Sequence, residues 1–131
     1  MRQRAAEARV ARLGTVTVDG RPHLVPVCFA VDRDLLYSAI DDVKAKTTLR
    51  LRRLQNIRLN PGVGVLVDHY AEDWSALWWI RMGGHARVAD PSSPKHDLAC
   101  QLLAAKYQQY RRQPPPGPVI EVEIDAWSAW P

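Results

Sequence analysis

Two short turn sequences near the N-terminus, Asp19–Gly20 and Asp32–Asp34, divide a β-rich stretch of the chain into three segments. An Asp-Gly pair between apolar runs is a strong signal for a tight β-hairpin. The flanking residues therefore predict strands at Thr15–Val18, Pro22–Val31 and Leu35–Ile40. Because short turns join neighbouring antiparallel strands, we expect a meander here and not the β–α–β alternation of a parallel sheet.

Three more segments continue the β pattern. Val63–Tyr70 and Ala76–Val88 predict a fourth and a fifth strand, and Gly83–Gly84 within the fifth permits a bulge. Val119–Ile124 alternates between apolar and polar residues and predicts a half-exposed sixth strand. Proline cannot donate a ladder hydrogen bond, so Pro22 and Pro26 place the second strand at an exposed edge.

Helices are expected at Met1–Arg12, at Lys95–Arg112 and within the basic stretch Asp41–Pro61. Hydrophobic residues make up 47% of the 131 residues and charged residues 24%, which suits a folded chain with one core. We therefore expect a single domain over residues 1–131. Its fold should be mainly β (α+β), a closed or partly open barrel of six or so antiparallel strands with two to three helices.

The basic stretch carries a third of the chain's 18 Lys and Arg residues: Lys44, Lys46, Arg50, Arg52, Arg53 and Arg58. Counting from Leu49 at about 100° per residue, Leu51, Leu54 and Ile57 fall on one arc of the helix. The opposite arc carries Arg52, Arg53, Gln55 and Asn56.

Thr47 and Thr48 can cap this helix, where free backbone N–H groups and the dipole favour an anion. Pro61 and Gly62 end it. A basic helix start with hydroxyl groups is suited to holding a phosphate. The alternative is a solvated basic face with ion pairs to its neighbours.

The four consecutive apolar residues Leu77–Ile80 depart from the alternation of a strand that is buried on one face. Both faces of this strand should therefore be covered. One cover would be the barrel core, and the other a second subunit or a ligand. Alternatively, the strand lies between the core and a helix of the same chain.

The sequence contains none of the common catalytic motifs: GxSxG, a P-loop, GxGxxG or HExxH. The four histidines stand alone in their segments, so no metal site is predicted. No catalytic residue can be assigned, and chemistry would have to come from a bound cofactor. An anion-binding helix beside apolar, Trp-rich strands suits a flat, phosphorylated, aromatic cofactor.

Other classes of partner and location are disfavoured. The net charge of +4 is too small to imply nucleic acid, and the basic helix has no interleaved aromatic residues. No signal peptide and no apolar run of about 18 residues is present, so we expect no membrane association. Cys28 and Cys100 fit reduced thiols in a cytoplasmic protein.

Four runs of the sequence resemble the split β-barrel family of pyridoxamine 5′-phosphate oxidase-like flavin and deazaflavin proteins. They are ARLGTVTVDGRPHLVPVCFAVDRDLLYSAIDD, LRRLQNIRLNPGVGVLVD, WWIRMGGHARVAD and LLAAKYQQYRRQPPPGPVIEVEIDAWSAW. The patterns DHYxEDWSxLWWIR and LxAKYxQY are most similar to actinobacterial members assigned to the deazaflavin coenzyme F420. The resemblance implies a homodimer with two cofactor sites at the subunit interface and the phosphate at the helix start.

The resemblance also implies roles for individual residues. Lys44, Lys46, Thr47, Arg52, Arg53 and Asn56 would bind the phosphate end. The ring and substrate pocket would be shaped by Pro26, Val27 and Cys28, with Trp78 and Trp79 from the facing subunit. Many relatives carry Lys where this chain has Arg53, three residues before Asn56; arginine still binds phosphate, in bidentate geometry.

The function that this resemblance implies is an F420H2-dependent reductase that passes a hydride to a small organic acceptor. The alternatives are an FMN-dependent oxidase or reductase of the same fold and a non-enzymatic flavin- or deazaflavin-binding protein. The family also includes haem-related proteins, so the fold alone does not settle the function.

Overall fold

The computed structural model describes residues 1–40 and 47–131, with side chains described outside positions 47–51. These residues form one antiparallel sheet of seven strands and four α-helices, together with a 3₁₀ helix at Trp74–Ala76. The strands are β1 (Ala11–Val16), β2 (Pro22–Val27), β3 (Ala30–Asp32), β4 (Leu35–Ala39), β5 (Gly62–His69), β6 (Trp78–Ala89) and β7 (Val119–Trp130). The helices are α1 (Arg2–Glu7), α2 (Thr47–Leu59), α3 (Pro94–Lys106) and α4 (Gln108–Arg112).

The strands lie in the order β2-β1-β5-β6-β7-β4-β3, so the two edge strands are consecutive in the chain. If the sheet were flat, its six inter-strand spacings of about 4.8 Å would separate these edges by roughly 29 Å. Only Cys28 and Phe29 connect them, and a chain of that length reaches roughly 11 Å. The sheet is therefore curled into a half-barrel, which confirms the predicted mainly β barrel fold.

Both predicted hairpin turns are confirmed. Gly20 has a φ of +85°, which glycine adopts without strain, and it joins β1 to β2. Arg33 has a φ of +58° in the two-residue loop between β3 and β4. The β2 strand lies at a sheet edge, as its prolines predict.

One strand and one helix that the sequence predicts as continuous are each divided in two in the structure. The strand predicted over Pro22–Val31 breaks at Cys28–Phe29, because the chain must turn there from one edge of the curled sheet to the other. The helix predicted over Lys95–Arg112 breaks at Tyr107, whose extended backbone ends α3 and precedes α4.

Three other predicted elements have the wrong bounds. The first strand, predicted over Thr15–Val18, spans Ala11–Val16. The N-terminal helix is shorter than predicted, since Ala11 and Arg12 pair with β2 as part of β1. The last strand continues past Ile124 to Trp130, because it pairs with β6 along its whole length.

The predicted bulge in β6 is confirmed as a register shift between Gly83 and Gly84. A Cβ atom on Gly84 would lie 2.1 Å from the carbonyl oxygen of Glu123 on the neighbouring strand. Only glycine therefore fits this position without a backbone shift.

The sheet buries apolar side chains on both of its faces. The larger cluster fills the inside of the curl and includes Phe29, Leu36, Ile57 and Met82. The smaller cluster lies beneath α3 and α4 and includes Tyr37, Leu103, Tyr110 and Val119. The β4 strand contributes side chains to both clusters. In the chain it follows the edge strand β3 and precedes the helix α2.

Candidate functional site

A cavity of about 270 Å³ lies at the corner where β2 turns into β3. Its lining residues are Val10, Pro26, Val27, Cys28, Ala39, Ile40 and Arg53. The structure therefore brings together four of the predicted site residues: two from the end of β2, Cys28 directly after it, and Arg53 from α2. Five of the seven lining side chains are aliphatic, one is a thiol and one is a guanidinium.

The placement of Arg53 follows from the packing of α2. Leu54 and Ile57 are buried in the main core, which confirms the predicted apolar arc at these two positions. Arg53, the neighbour of Leu54, is half-buried at the cavity, whereas Arg52 is exposed to solvent. Of these two adjacent arginines, Arg53 is thus the one placed to meet a ligand in the cavity.

The prediction that Asn56 lies on the outer arc of α2 is wrong. Asn56 is only 3% exposed, and its Nδ2 donates to Thr15 Oγ1 at 3.1 Å. Its amide therefore ties α2 to β1. The helical angle placed Asn56 opposite Leu54, but β1 packs against that side of the helix and buries it.

The other predicted phosphate ligands cannot be located. Lys44 and Lys46 lie outside the described residues. Thr47 begins α2, but its side chain is also outside the described part of the structure. The phosphate contacts of this set stay predictions.

Trp78 and Trp79 do not line the β2–β3 cavity of their own chain. Trp78 packs against the main core and stacks on His69 with ring centres 6.2 Å apart. Trp79 lines a second cavity of about 200 Å³ with Tyr70, Leu77 and Trp130. Their contribution from a facing subunit stays a prediction.

The β2–β3 corner is held by two residues that the sequence reasoning did not assign to the site. Tyr107 Oη accepts a hydrogen bond from the backbone N–H of Phe29 at 3.1 Å. The same hydroxyl lies 2.9 Å from the carbonyl oxygen of Arg9 and 3.1 Å from that of Phe29. Lys106 Nζ donates to the Phe29 carbonyl at 2.9 Å. Side chains thus satisfy the backbone of Phe29, which lies between the two edge strands.

Lys106 occupies a setting that disfavours its charge. Its ammonium is half-buried and lies 3.8 Å from the centre of the Phe29 ring. Burial and, to a smaller extent, the charge of the nearby Arg9 lower the pKa of Lys106 to about 8, and Cys28 opposes this shift. Burial also raises the pKa of Tyr107. The only sequence signal for these residues is their place in the LxAKYxQY pattern.

The described residues contain no group of three or more His, Cys, Asp or Glu side chains that could hold a metal ion. Cys28 and Cys100, both described, are not joined in a disulfide. None of the helices in the described ranges is long and apolar enough to span a membrane.

Comparison with known families gives one match to the full chain: the pyridoxamine 5′-phosphate oxidase family model matches residues 1–131. The comparison with curated proteins gives no match.

Solved structures share the fold at low sequence identity. A conserved hypothetical protein of Mycobacterium tuberculosis is 15% identical, with a TM-score of 0.74 over 96% of this chain and 79% of that one. The haem storage protein HutZ of Vibrio cholerae is 13% identical, with a TM-score of 0.73 over 98% and 89%. An FAD-binding protein of Mesorhizobium loti is 22% identical, with a TM-score of 0.63 over 98% and 87%.

Proposed function

We propose, from the premise that the chain belongs to the pyridoxamine 5′-phosphate oxidase family, that it is an oxidoreductase dependent on coenzyme F420. It would transfer a hydride between the deazaflavin and a small organic acceptor. The observation that carries this proposal is the cavity at the β2–β3 corner, where Pro26, Val27 and Cys28 meet Arg53.

The residues of this cavity fit a flat ring that carries a phosphate. Its aliphatic side chains can pack against an aromatic ring, and the rigid Pro26 fixes the backbone at the wall. Arg53 supplies a planar cation that can hold a phosphate through two parallel hydrogen bonds. Lys44, Lys46 and Thr47, together with the exposed Arg52, remain in the proposed phosphate-binding set.

The chain's own residues would bind, orient and shield the reacting ring. When bound, the cofactor supplies the hydride chemistry that no side chain of this protein provides. Apolar packing on the cavity wall excludes water from the ring and fixes its position relative to the acceptor. No proton donor is assigned, and solvent would protonate the product.

A homodimer is part of the proposal. The outer face of β2, β1 and β5 carries exposed apolar side chains: Leu24 is 73% exposed and Leu66 37%. Gly14 pairs with Leu24 and with Gly64, which leaves this part of the face flat, and Arg12 pairs with Leu66. A second copy of the chain would cover it, and the facing subunit would bring Trp78 and Trp79 to the site.

An FMN-dependent oxidoreductase is the second candidate function. The structural likeness to an FAD-binding protein favours an oxidised flavin as the occupant of the same cavity. A binding protein without turnover is the third, and the likeness to a haem storage protein makes haem a necessary competitor in any binding test.

The deciding experiment is a titration of the purified protein with F420, FMN and haem, read by fluorescence quenching or absorbance. We expect F420 to bind most tightly and its reduced form to be oxidised in the presence of an electron-poor acceptor. Tighter binding of FMN would replace the deazaflavin assignment with the flavin one. Tight binding with no turnover on any acceptor would favour the binding protein.

A further inference from the structure

Two positive charges lie together behind the wall of the β2–β3 cavity. Arg9 Nη1 donates to the carbonyl oxygen of Lys106 at 2.8 Å, and Lys106 Nζ donates to Phe29 at 2.9 Å. Arg9 directly precedes Val10 and Phe29 directly follows Cys28, and both of these neighbours line the cavity. Arg9 is therefore next in the chain to one lining residue, and Lys106, at the end of α3, is hydrogen-bonded to the residue that follows another.

These two charges have no carboxylate partner within the described part of the chain. No carboxylate there forms an ion pair with Arg9 or Lys106. Lys95, in contrast, is held by the carboxylate of Glu121 at 3.0 Å although it is exposed. Lys106 is half-buried, and a half-buried cation is usually paired because desolvation penalises an isolated charge.

The remaining contacts of Lys106 do not replace a counter-ion. Its ammonium meets one carbonyl oxygen and the faces of the Phe29 and Tyr107 rings, at 3.8 Å and 5.3 Å from their centres. An ammonium carries three donors, so two are left for a ligand after the bond to Phe29. Arg9 likewise uses one Nη1 hydrogen bond, and its guanidinium lies 5.6 Å from the Tyr107 ring centre.

We infer that Arg9 and Lys106 bind an acidic group, a carboxylate or a phosphate, of the molecule that the cavity accepts as substrate. The substrate class is then a small organic anion whose apolar part lies in the cavity. This subsite is separate from Arg53, which lines the cavity from α2. The inference rests on the proposed function only for the role of this molecule as hydride acceptor.

The test uses two simple probes, benzoate and its neutral counterpart benzamide, with the cofactor-free protein. Ligand-observed NMR at pH 6.5 should give benzoate an affinity at least about tenfold higher than that of benzamide. Lys106→Met keeps the length of the side chain and removes the charge, and it should reduce this preference to about twofold or less. Arg21→Gln, at the distant β1–β2 turn, makes the same change in net charge and should leave the preference unaltered.

The acidic group has two possible sources, and a second arm separates them. Lys106→Met should leave the Kd for F420 within about twofold of the wild-type value. If the variant weakens F420 and leaves benzoate unchanged, the cations serve the acidic tail of the cofactor and the substrate assignment is wrong. Failure of F420 to bind the wild type would refute the proposed function but leave the benzoate result intact.

The pH dependence tests the same site without a variant. Lys106 is charged below its pKa of about 8, so benzoate affinity should be full at pH 6.5 and fall as the pH rises through 8. The groups that face its ammonium are Arg9, which stays charged, Tyr107, whose raised pKa keeps it neutral, and Cys28. Lys106→Arg should bind benzoate with a flat profile through pH 8.

Two results would overturn the inference. One is equal affinity of the wild type for benzoate and benzamide at pH 6.5. The other is a Lys106→Arg profile that still falls through pH 8, since a group other than Lys106 would then control the affinity. If Lys106→Met does not fold by circular dichroism, Arg9→Gln replaces it, because Arg9 is exposed and can be truncated without opening the core.

Discussion

The side-chain amide of Asn56 donates a hydrogen bond to Thr15 Oγ1 at 3.1 Å, and both residues are buried between α2 and β1. This bond fixes the helix that carries Arg53 to the strand that follows Val10, so it joins two walls of the cavity. Asn56 is therefore placed to position the site from behind.

Replacing Asn56 should lower stability more than it lowers cofactor affinity. Asn56→Ala leaves Thr15 Oγ1 without its partner in the core and should cost about 1–3 kcal/mol of unfolding free energy. The double variant Asn56→Ala, Thr15→Val should lose less than the sum of the two single changes, because both partners are then removed. Urea denaturation of the wild type, the two single variants and the double variant measures these unfolding free energies. A loss of F420 affinity at full stability would instead assign Asn56 to the phosphate.

Arg53 should contribute more to cofactor binding than other arginines of the same helix. Each charge-assisted hydrogen bond is worth about 1.5–3 kcal/mol, so Arg53→Met should raise the Kd for F420 at least about tenfold. Arg58→Met should have a smaller effect, since Arg58 lies exposed in the last turn of α2 and could meet only the tail of the cofactor. The Kd of Arg52→Met for F420 should lie between the values of these two variants. Equal effects of all three changes would mean that the helix acts as a diffuse basic surface.

The extent to which sequence predicted this fold depends on how local each signal is. The Asp19–Gly20 and Arg33–Asp34 turns are specified by their own residues, and both were predicted correctly. The break at Cys28–Phe29 has no local signal, because the residues around it read as one continuous strand. The closure of the sheet imposes the break, and Tyr107, 78 positions further along the chain, satisfies the exposed backbone of Phe29.

The residues of the candidate site likewise separate into those that the sequence predicted and those that depend on long-range packing. Pro26, Val27, Cys28 and Arg53 were predicted from their position on β2 and α2, and the structure brings them to one cavity. Lys106 and Tyr107 could not be found by the same reasoning, since their contacts with the corner depend on the packing of α3 across the sheet. Helical periodicity put Asn56 on the solvent side because it takes no account of which strand packs beside the helix.

The outer face of β1, β2 and β5 should form the dimer interface. Light scattering at micromolar concentration should give twice the 14.8 kDa mass of the chain. Leu24→Asp places a charge among the exposed apolar residues of this face and should shift the protein to the monomer. Val18→Asp is the matched control, because Val18 is 79% exposed at the β1–β2 turn. A monomeric wild type would refute both the dimer and the contribution of Trp78 and Trp79.

The contact of α1 with the sheet should weaken in acid. Arg2 and then Trp127 donate hydrogen bonds to the carboxylate of Asp34, and they lower its pKa below 3.8. Because the folded pKa is depressed, the stabilisation is present above the unfolded value of about 4 and is lost as the pH falls below it.

Thermal unfolding should therefore show a smaller acid-induced decrease in Tm for Asp34→Asn than for the wild type. The measurement is a Tm series from pH 7 to pH 2.5 by circular dichroism. Asp19→Asn removes another exposed carboxylate, in the β1–β2 turn, and should keep the wild-type pH dependence. If Asp34→Asn follows the wild-type curve at every pH, the Arg2–Asp34–Trp127 contact does not contribute to acid sensitivity.

Salt should discriminate between the two candidate cofactors. F420 carries a phosphodiester and a glutamate tail, whereas FMN carries a single phosphate. Both can meet Arg53, but only the longer tail can also reach basic residues beyond it, such as Lys44, Arg50 or the exposed Arg58. The Debye length falls from about 10 Å at 0.1 M to about 3 Å at 1 M, so these outer contacts weaken while apolar ring contacts persist. The Kd for F420 should therefore rise between 0.1 and 1 M NaCl, and by a larger factor than the Kd for FMN.

If FMN binds more tightly than F420 at both salt concentrations, the cavity belongs to a flavin and the deazaflavin proposal is wrong.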